Sequence, residues 1–229
     1  MTGINCSVCA VRDSAACAAL LPAEREELAR LGKGRVYQRG ETVFAAGDTQ
    51  DVCATLTTGL LKISHFDEDG HERILSLVHP AGFVGELFAP MVRHDVVALT
   101  ESRLCLFARS EYEAAIERYP TLARALLRRS AEDLYDARAQ IALDAKRSAG
   151  AKVASLLHSL AQAASRSSCH GAMLFDLPLN RGEVATLLGL TIETVSRQLG
   201  RLESDGVIRR SGARGIQVLD AARLEAVAG

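Results

Sequence analysis

Short apolar runs punctuated by glycine fill the chain from about Gly34 to Phe107. RGETVFAAGD, LTTGLLKISHFDEDGHERILSLVHPAG and VVALTESRLCLFAR alternate or cluster their apolar residues over strand-like lengths. Gly40, Gly47, Gly59, Gly70 and Gly82 separate them at turn-like intervals, and DEDG (Asp67–Gly70) is a hairpin signal. Many short strands at such spacing predict a sandwich or a barrel-like roll.

The pattern then changes period. From Ser110 to about Ser148 there is no glycine, and Pro120 separates a short helix from a long one. In the long helix Leu127, Leu134, Ile141 and Ser148 recur every seven residues, flanked by Ser130, Ala131, Ala137 and Ala145. A heptad stripe of small and apolar residues is the pattern of a two-stranded coiled-coil seam, although an amphipathic helix packed on its own domain would also carry one. Asp133, Asp136 and Asp144 lie on or near this stripe. Gly150 is expected to break the helix and to hinge it to a second domain. A further helix (Val153, Leu156, Leu157, Leu160), the polar loop SRSSCHG and a strand, MLFDL, follow.

Arg181–Arg210, RGEVATLLGLTIETVSRQLGRLESDGVIRR, reads as helix, tight turn, helix. Val184, Leu187 and Leu188 form the apolar face of the first helix, and Ala185 is small where two helices must cross. Gly189 suits a turn that needs positive φ. Thr191 is a natural N-cap for the second helix, with Thr194 at its third position. Val195, Leu199 and Leu202 hold that helix down, which leaves Glu193, Ser196, Arg197 and Arg201 on the opposite face. One buried face and one face of donors and acceptors is what a helix in a major groove needs. VIRRSGARGIQVL then reads as strand, basic turn, strand, the form of a wing.

Composition narrows the setting. The 229 residues are 48% apolar and 24% charged with a net charge of −1, enough apolar material for a substantial core and no global attraction to nucleic acid. Locally the balance differs: residues 181–215 hold six arginines against four acids. No apolar run approaches the roughly 18 residues a membrane helix needs. The amino terminus lacks early Lys or Arg, and Arg12 and Asp13 interrupt its one mildly apolar stretch, so no secretory signal is expected and the cytoplasm is the expected compartment.

The order of parts, a strand-rich roll, a long helix and a winged helix-turn-helix, resembles the CRP/FNR superfamily of transcription regulators across nearly the whole chain. LGLTIETVSRQLGRL resembles its fumarate–nitrate reduction branch, whose pattern of Glu, two residues, Ser and Arg maps onto Glu193, Ser196 and Arg197. The expected fold class is α+β: an antiparallel β-roll (a cupin-like double-stranded β-helix), a long dimerisation helix and a winged helix-turn-helix. The expected parts are a cysteine-rich segment over 1–30, the roll over 31–109, the two helices over 110–149 and the DNA-binding domain over 150–229. The resemblance implies a homodimer on double-stranded DNA, reading a TTGAT-type half-site twice, with RNA polymerase as a partner and FAPMVRHD (Phe88–Asp95) as a candidate polymerase contact. Arg197 can bond guanine O6 and N7, Glu193 can accept from cytosine N4, and Ser196 can meet a neighbouring thymine. Gln198 departs from the branch, where an aliphatic residue is usual.

Two classes of signal compete. GFVGELFAP (Gly82–Pro90) keeps the Gly-Glu-Leu of a cyclic-nucleotide phosphate cassette, including Glu86. The Arg-Ser pair that such a cassette requires is absent, because Arg93 comes early and is followed by His94. An unpaired phosphate in a closed pocket would be costly. The other signal lies in CSVCAVRDSAAC, whose Cys6, Cys9 and Cys17 are spaced C-x2-C-x7-C, with Cys105 in the last strand of the roll. Clustered thiols in a reducing compartment bind metal or react more often than they form disulfides. Structural zinc and a Cys6–Cys9 disulfide switch are open alternatives, as is haem, although six scattered histidines argue against a histidine-based site. The resemblance to oxygen-sensing members implies a [4Fe–4S] cluster on Cys6, Cys9, Cys17 and Cys105. Cys53 and Cys169 match no ligand position.

The expectation is an oxygen- or redox-responsive transcription regulator, with a cyclic-nucleotide or other small-effector regulator as the alternative. A redox enzyme is not expected, since the chain has no dinucleotide fingerprint, no second cluster motif and no nucleophile–base pair.

Overall fold

A computed structural model describes residues 2–144, 148–165 and 173–229. The chain forms two compact units, Met1–Asp136 and Ala137–Gly229. The first begins with the short strand β1 (Thr2–Gly3), two 3-10 turns (Cys6–Val8 and Ala16–Ala19) and helix α1 (Pro22–Leu31). Then come β2 (Gly32–Tyr37), β3 (Thr42–Phe44), β4 (Val52–Thr58), β5 (Leu61–Phe66), β6 (Glu72–Val78), β7 (Phe83–Val84), β8 (Asp95–Ala98) and β9 (Ser102–Ala108). They pair antiparallel into a five-stranded sheet, β1-β2-β9-β4-β7, and a four-stranded sheet, β3-β8-β5-β6. This is the roll expected from the turn-punctuated runs.

Side-chain alternation along β4 and β9 gives the larger sheet two buried faces. Ala54, Leu56, Leu104 and Leu106 point into the interior between the sheets, with Tyr37 and Leu61. The intervening Cys53, Cys105 and Phe107 point outward, under Leu20, Leu28, Tyr112 and Leu122. The amino-terminal segment is therefore the lid over the outer face of the sheet. A Cβ on Gly32 would collide with Ile4 Cδ1 and stand 2.5 Å from a Phe107 ring carbon, so the missing side chain lets Ile4 seat on Phe107.

Helix α1 has no counterpart in the sequence reading. Its signals are there: Pro22 opens it, Glu24 Oε2 accepts from Leu21 N–H at 2.9 Å, and Arg30 lies in its last turn. It buries only Leu28, so no apolar stripe announced it. Helices α2 (Arg109–Arg118) and α3 (Pro120–Asp144) follow. The 25 residues of α3 span about 37 Å at 1.5 Å per residue.

The second unit contains α4 (Ala149–Ser165), β10 (Met173–Asp176), α5 (Arg181–Leu188), α6 (Ile192–Ser204), β11 (Ile208–Ser211), β12 (Gly215–Val218) and α7 (Ala221–Ala228). Its sheet has the order β10-β12-β11, and the β11–β12 hairpin is the expected wing. The break expected at Gly150 lies just before it: Ser148 is outside any helix, and Gly150 is the second residue of α4. A Cβ at Gly150 would lie 3.1 Å from Gln198 Oε1, so this glycine serves the close approach of α4 and α6. Ala145, Cys169 and the side chains of Asp136 and Asp144 lie outside the described residues. No helix among the described residues is long and apolar enough to cross a membrane.

Candidate thiol centre and nucleic-acid interface

Cys6, Cys9, Cys17 and Cys105 line one cavity. Strand register explains how a residue so far along the chain joins the other three. Cys105 stands opposite Gly34 on β2 and Thr55 on β4, on the outward face of the sheet, while β1 runs along the other side of β2. The chain leaving β1 at Gly3 is thus two strand spacings, about 10 Å, from β9 when it reaches Cys6. Cys53 shares the outward face but is fully buried, and its Sγ lies 3.9 Å from the Phe107 carbonyl oxygen, outside the cavity.

Burial dominates the chemistry of these thiols. Burial, and after it the neighbouring Cys6 and Cys9, push the Cys17 thiol up to about 11. Burial with Cys9, Cys6 and Cys17 nearby pushes Cys105 up to about 12. Cys6 is raised by burial and by Cys9, with Arg25 the foremost charge acting the other way. Ligation of a cation would reverse this balance, since a metal takes the thiolate.

A tetrahedral zinc ion with 2.3 Å bonds holds its sulfurs about 3.8 Å apart. Among the described residues, the one group of three or more potential ligands whose atoms all lie within 4.8 Å of one another is Asp67, Asp69 and His71, at the tip of the β5–β6 hairpin. No three of the four thiols meet that criterion as they stand. Four cysteine donors around one cavity are the donor set that a [4Fe–4S] group takes.

On α3 the heptad residues are bare. Leu127, Leu134 and Ile141 are 71%, 51% and 73% exposed, and Tyr135 is exposed beside them. Large apolar side chains at seven-residue spacing on one helix, uncovered in the single chain, are what a helix–helix seam requires. Asp133 is not a bare charge there, because Arg129 Nε donates to its Oδ1 at 3.1 Å.

In the second unit, Gly189 adopts φ +62° at the end of α5, the left-handed value expected of the turn. Thr191 caps α6, its Oγ1 accepting from Thr194 N–H at 3.2 Å. Val195, Leu199 and Leu202 are buried, while Glu193, Arg197 and Arg201 form an exposed stripe at four-residue intervals. The Glu193 carboxyl is held below its ordinary 4.5 by its own backbone N–H and by the Thr191 hydroxyl, so at neutral pH it is an acceptor only. Ser196 is half-buried and accepts from Arg181 Nη1 at 3.3 Å, a partnership with no signature in residue spacing. Arg209 on the wing is exposed, whereas Arg210 is tied to Glu203, with Nε donating to Oε2 at 2.7 Å.

The cassette region carries its own ion pair: Arg93 Nε lies 2.9 Å from Glu86 Oε2. The following loop is held in a tense form. Phe88 has φ +60° and is 71% exposed, its N–H donates to Glu113 Oε1 at 2.8 Å, and Arg109 Nη1 donates to the Ala89 carbonyl at 2.6 Å.

Comparison with known proteins agrees with this division. Residues 34–119 match the cyclic nucleotide-binding domain family and residues 151–227 the Crp-like helix-turn-helix domain. The transcriptional activator protein FnrL of Cereibacter sphaeroides is 38% identical over 228 residues, covering 98% of this chain and 92% of the relative. The nitrogen fixation regulation protein FixK of Bradyrhizobium diazoefficiens is 34% identical over 227 residues, covering 99% and 94%. Among solved structures, FixK2 from Bradyrhizobium japonicum superposes with a TM-score of 0.74 at 25% identity, covering 86% of this chain and 98% of that one. A CRP/FNR family transcriptional regulator from Thermus thermophilus gives 0.71 at 25%, with the same coverage.

Proposed function

The chain belongs to the CRP/FNR family of transcription regulators, and from that membership we propose that it is an oxygen- and redox-responsive regulator that reads paired TTGAT-type half-sites as a homodimer while Cys6, Cys9, Cys17 and Cys105 hold a [4Fe–4S] cluster. It works on DNA in the cytoplasm and performs no catalysis. The observation that carries the sensory half is the convergence of four thiols on one cavity. When bound, such a cluster supplies an oxygen-labile centre.

The chain's own part is mechanical. Cys6, Cys9 and Cys17 belong to a segment with little regular structure, and Cys105 belongs to the sheet beneath it. Ligation shared by all four ties the segment to the sheet, and loss of the tie frees a lid whose packing runs through Leu20 and Leu28 to Leu122 of α3. The exposed Leu127, Leu134 and Ile141 pair with their counterparts in a second copy, which sets two α6 helices about 34 Å apart, in successive major grooves. The tie thus biases an interface that is marginal without it. Arg197 reads a guanine, Glu193 a cytosine amino group and Ser196 a thymine. Thr191 and Thr194 fix the start of the helix, and Arg201 extends the polar stripe. The strained loop carrying exposed Phe88 and Met91 is the surface offered to RNA polymerase.

Gating by a cyclic nucleotide is the second reading, and the match of residues 34–119 favours it. Against it, the Glu86 carboxylate is already paired with Arg93, and no serine adjoins that arginine to complete a phosphate site. One experiment separates the two. Protein purified without oxygen is expected to be brown, absorbing broadly near about 400 nm, and to bleach in air as binding to a palindromic TTGAT-type duplex is lost. A colourless protein with equal affinity in air would overturn the redox reading.

A further inference from the structure

Arg25 lies in the first half of α1 and matches nothing in the cysteine spacing, yet it lines the thiol cavity. Its Nε donates to the Cys17 carbonyl at 3.1 Å, and its Nη2 donates to the carbonyls of Ala18 and Leu20, both at 3.2 Å. One guanidinium therefore gathers three carbonyls of the Cys17–Leu20 stretch, two from the 3-10 turn and one from the residue that ends it. Among the described residues no carboxylate lies within ion-pair distance of it, so its donors are directed at this backbone rather than at a counter-charge. On its solvent side the same side chain walls an open groove of about 730 Å³ that Cys6 and Arg12 also line. Arg25 thus stands, with Ile4 and Ala29, between the thiol cavity and the open groove.

We propose that Arg25 is a positioning residue for the thiol centre: its planar fork clamps the backbone from Cys17 to Leu20 and holds Cys17 in place beside Cys6, Cys9 and Cys105. The fork geometry is what the role needs. Three acceptors arrayed around one group suit the fixed, planar donors of arginine, whereas a lysine ammonium at the same place keeps the charge but cannot span Cys17 and Leu20 together. The functional meaning of the clamp rests on the four-thiol reading, while its structural effect does not.

The test uses the full chain and two variants, Arg25→Lys and Arg25→Gln, each checked for unchanged secondary structure by circular dichroism. In the reduced, metal-free protein, amide hydrogen exchange is followed at Ala18 and Leu20, whose N–H groups donate to the carbonyls of Ala15 and Cys17. Both variants are expected to speed exchange there by at least about tenfold, the effect of losing a charge-assisted hydrogen bond, with β9 unchanged. In protein loaded anaerobically with ferrous iron and sulfide, both variants are expected to release iron to a chelator faster than the parent by a similar factor. Restoration of both readouts to parental values by Arg25→Lys would show that charge alone matters and would overturn the clamp, as would parental exchange in Arg25→Gln. If the parent takes up no iron, the cluster reading fails, and the exchange comparison still decides for or against the clamp.

Discussion

The Tyr119 hydroxyl donates a 2.6 Å hydrogen bond to Oε2 of Glu27, 92 residues earlier in the chain. The Arg118 Nη2 lies 3.2 Å from the same oxygen. Glu27 belongs to α1, and Tyr119 is the single residue between α2 and α3, so one carboxylate joins the lid-bearing helix to the base of the helix with the exposed heptad.

Tyr119→Phe keeps the buried ring and removes only the donor. It is expected to lower stability slightly, read as a downward shift in denaturant midpoint. The Tyr119 hydroxyl first, and Arg118 after it, hold the Glu27 carboxyl below its ordinary 4.5. A lowered folded value means the contribution is present above about 4.5 and is lost as pH falls through that lowered value. The gap between parent and variant should therefore narrow in acid; a gap independent of pH would deny the carboxylate its part.

Leu134→Asp and Ile141→Asp place a charge where the single chain leaves half or more of the residue exposed. Folding of the monomer should be unaffected, with an unchanged circular dichroism spectrum. Sedimentation should show monomer, and affinity for a palindromic site should fall by roughly 10²–10⁴, because two linked half-sites become two separate binding events. A dimeric variant with parental affinity would remove α3 from the interface.

Arg197→Ala is expected to cost about 1–3 kcal/mol per half-site and to relax preference at one base pair, which binding to a panel of single-base variants would measure. Arg209→Ala, on the exposed part of the wing, should instead weaken all sequences about equally and reduce the salt slope by about 1. Uniform loss in both variants would mean that Arg197 contacts phosphate and not a base.

In the metal-free, reduced protein the raised thiols make alkaline pH destabilising. Cys17 near about 11 and Cys105 near about 12 keep their protons in the folded chain above the ordinary 9.0. Their contribution is full below about 9 and is lost as pH rises towards those values. Denaturant midpoints measured from pH 8 to 11 should fall more steeply for the parent than for Cys105→Ala. Metal uptake should run the opposite way and improve with rising pH, since each ligand must give up its proton.

The helix-turn-helix was legible in its spacing, the Arg181–Ser196 contact excepted. Gly189, Thr191, the buried Val195, Leu199 and Leu202 and the polar stripe on α6 all depend on spacing within one turn or one helix, where sequence distance and spatial distance are nearly the same. The heptad on α3 was legible for the same reason. Gly150 falls one residue inside α4 rather than at the break itself, because a glycine needed for close approach to Gln198 looks, in sequence, like one that ends a helix.

The thiol centre divides differently. The sequence by itself placed Cys6, Cys9 and Cys17 in one short segment, but eleven residues fully extended would span about 37 Å. It is the folding of that segment through two 3-10 turns that brings them to one place. Spacing alone could not choose between Cys53 and Cys105, which both sit in strands of one sheet and face the same way; the resemblance pointed to Cys105 without supplying the physical reason. Only the register decides: Cys53 stands opposite Phe107 and sinks beneath the packing around Tyr112, while Cys105 stands opposite Thr55, two residues along, at the cavity. Arg25 likewise became visible only when α1 had folded back on the Cys17 turn. Local spacing is written in the chain, but which strand face lies under which lid is set by long-range pairing and packing, and those exist only in the folded molecule.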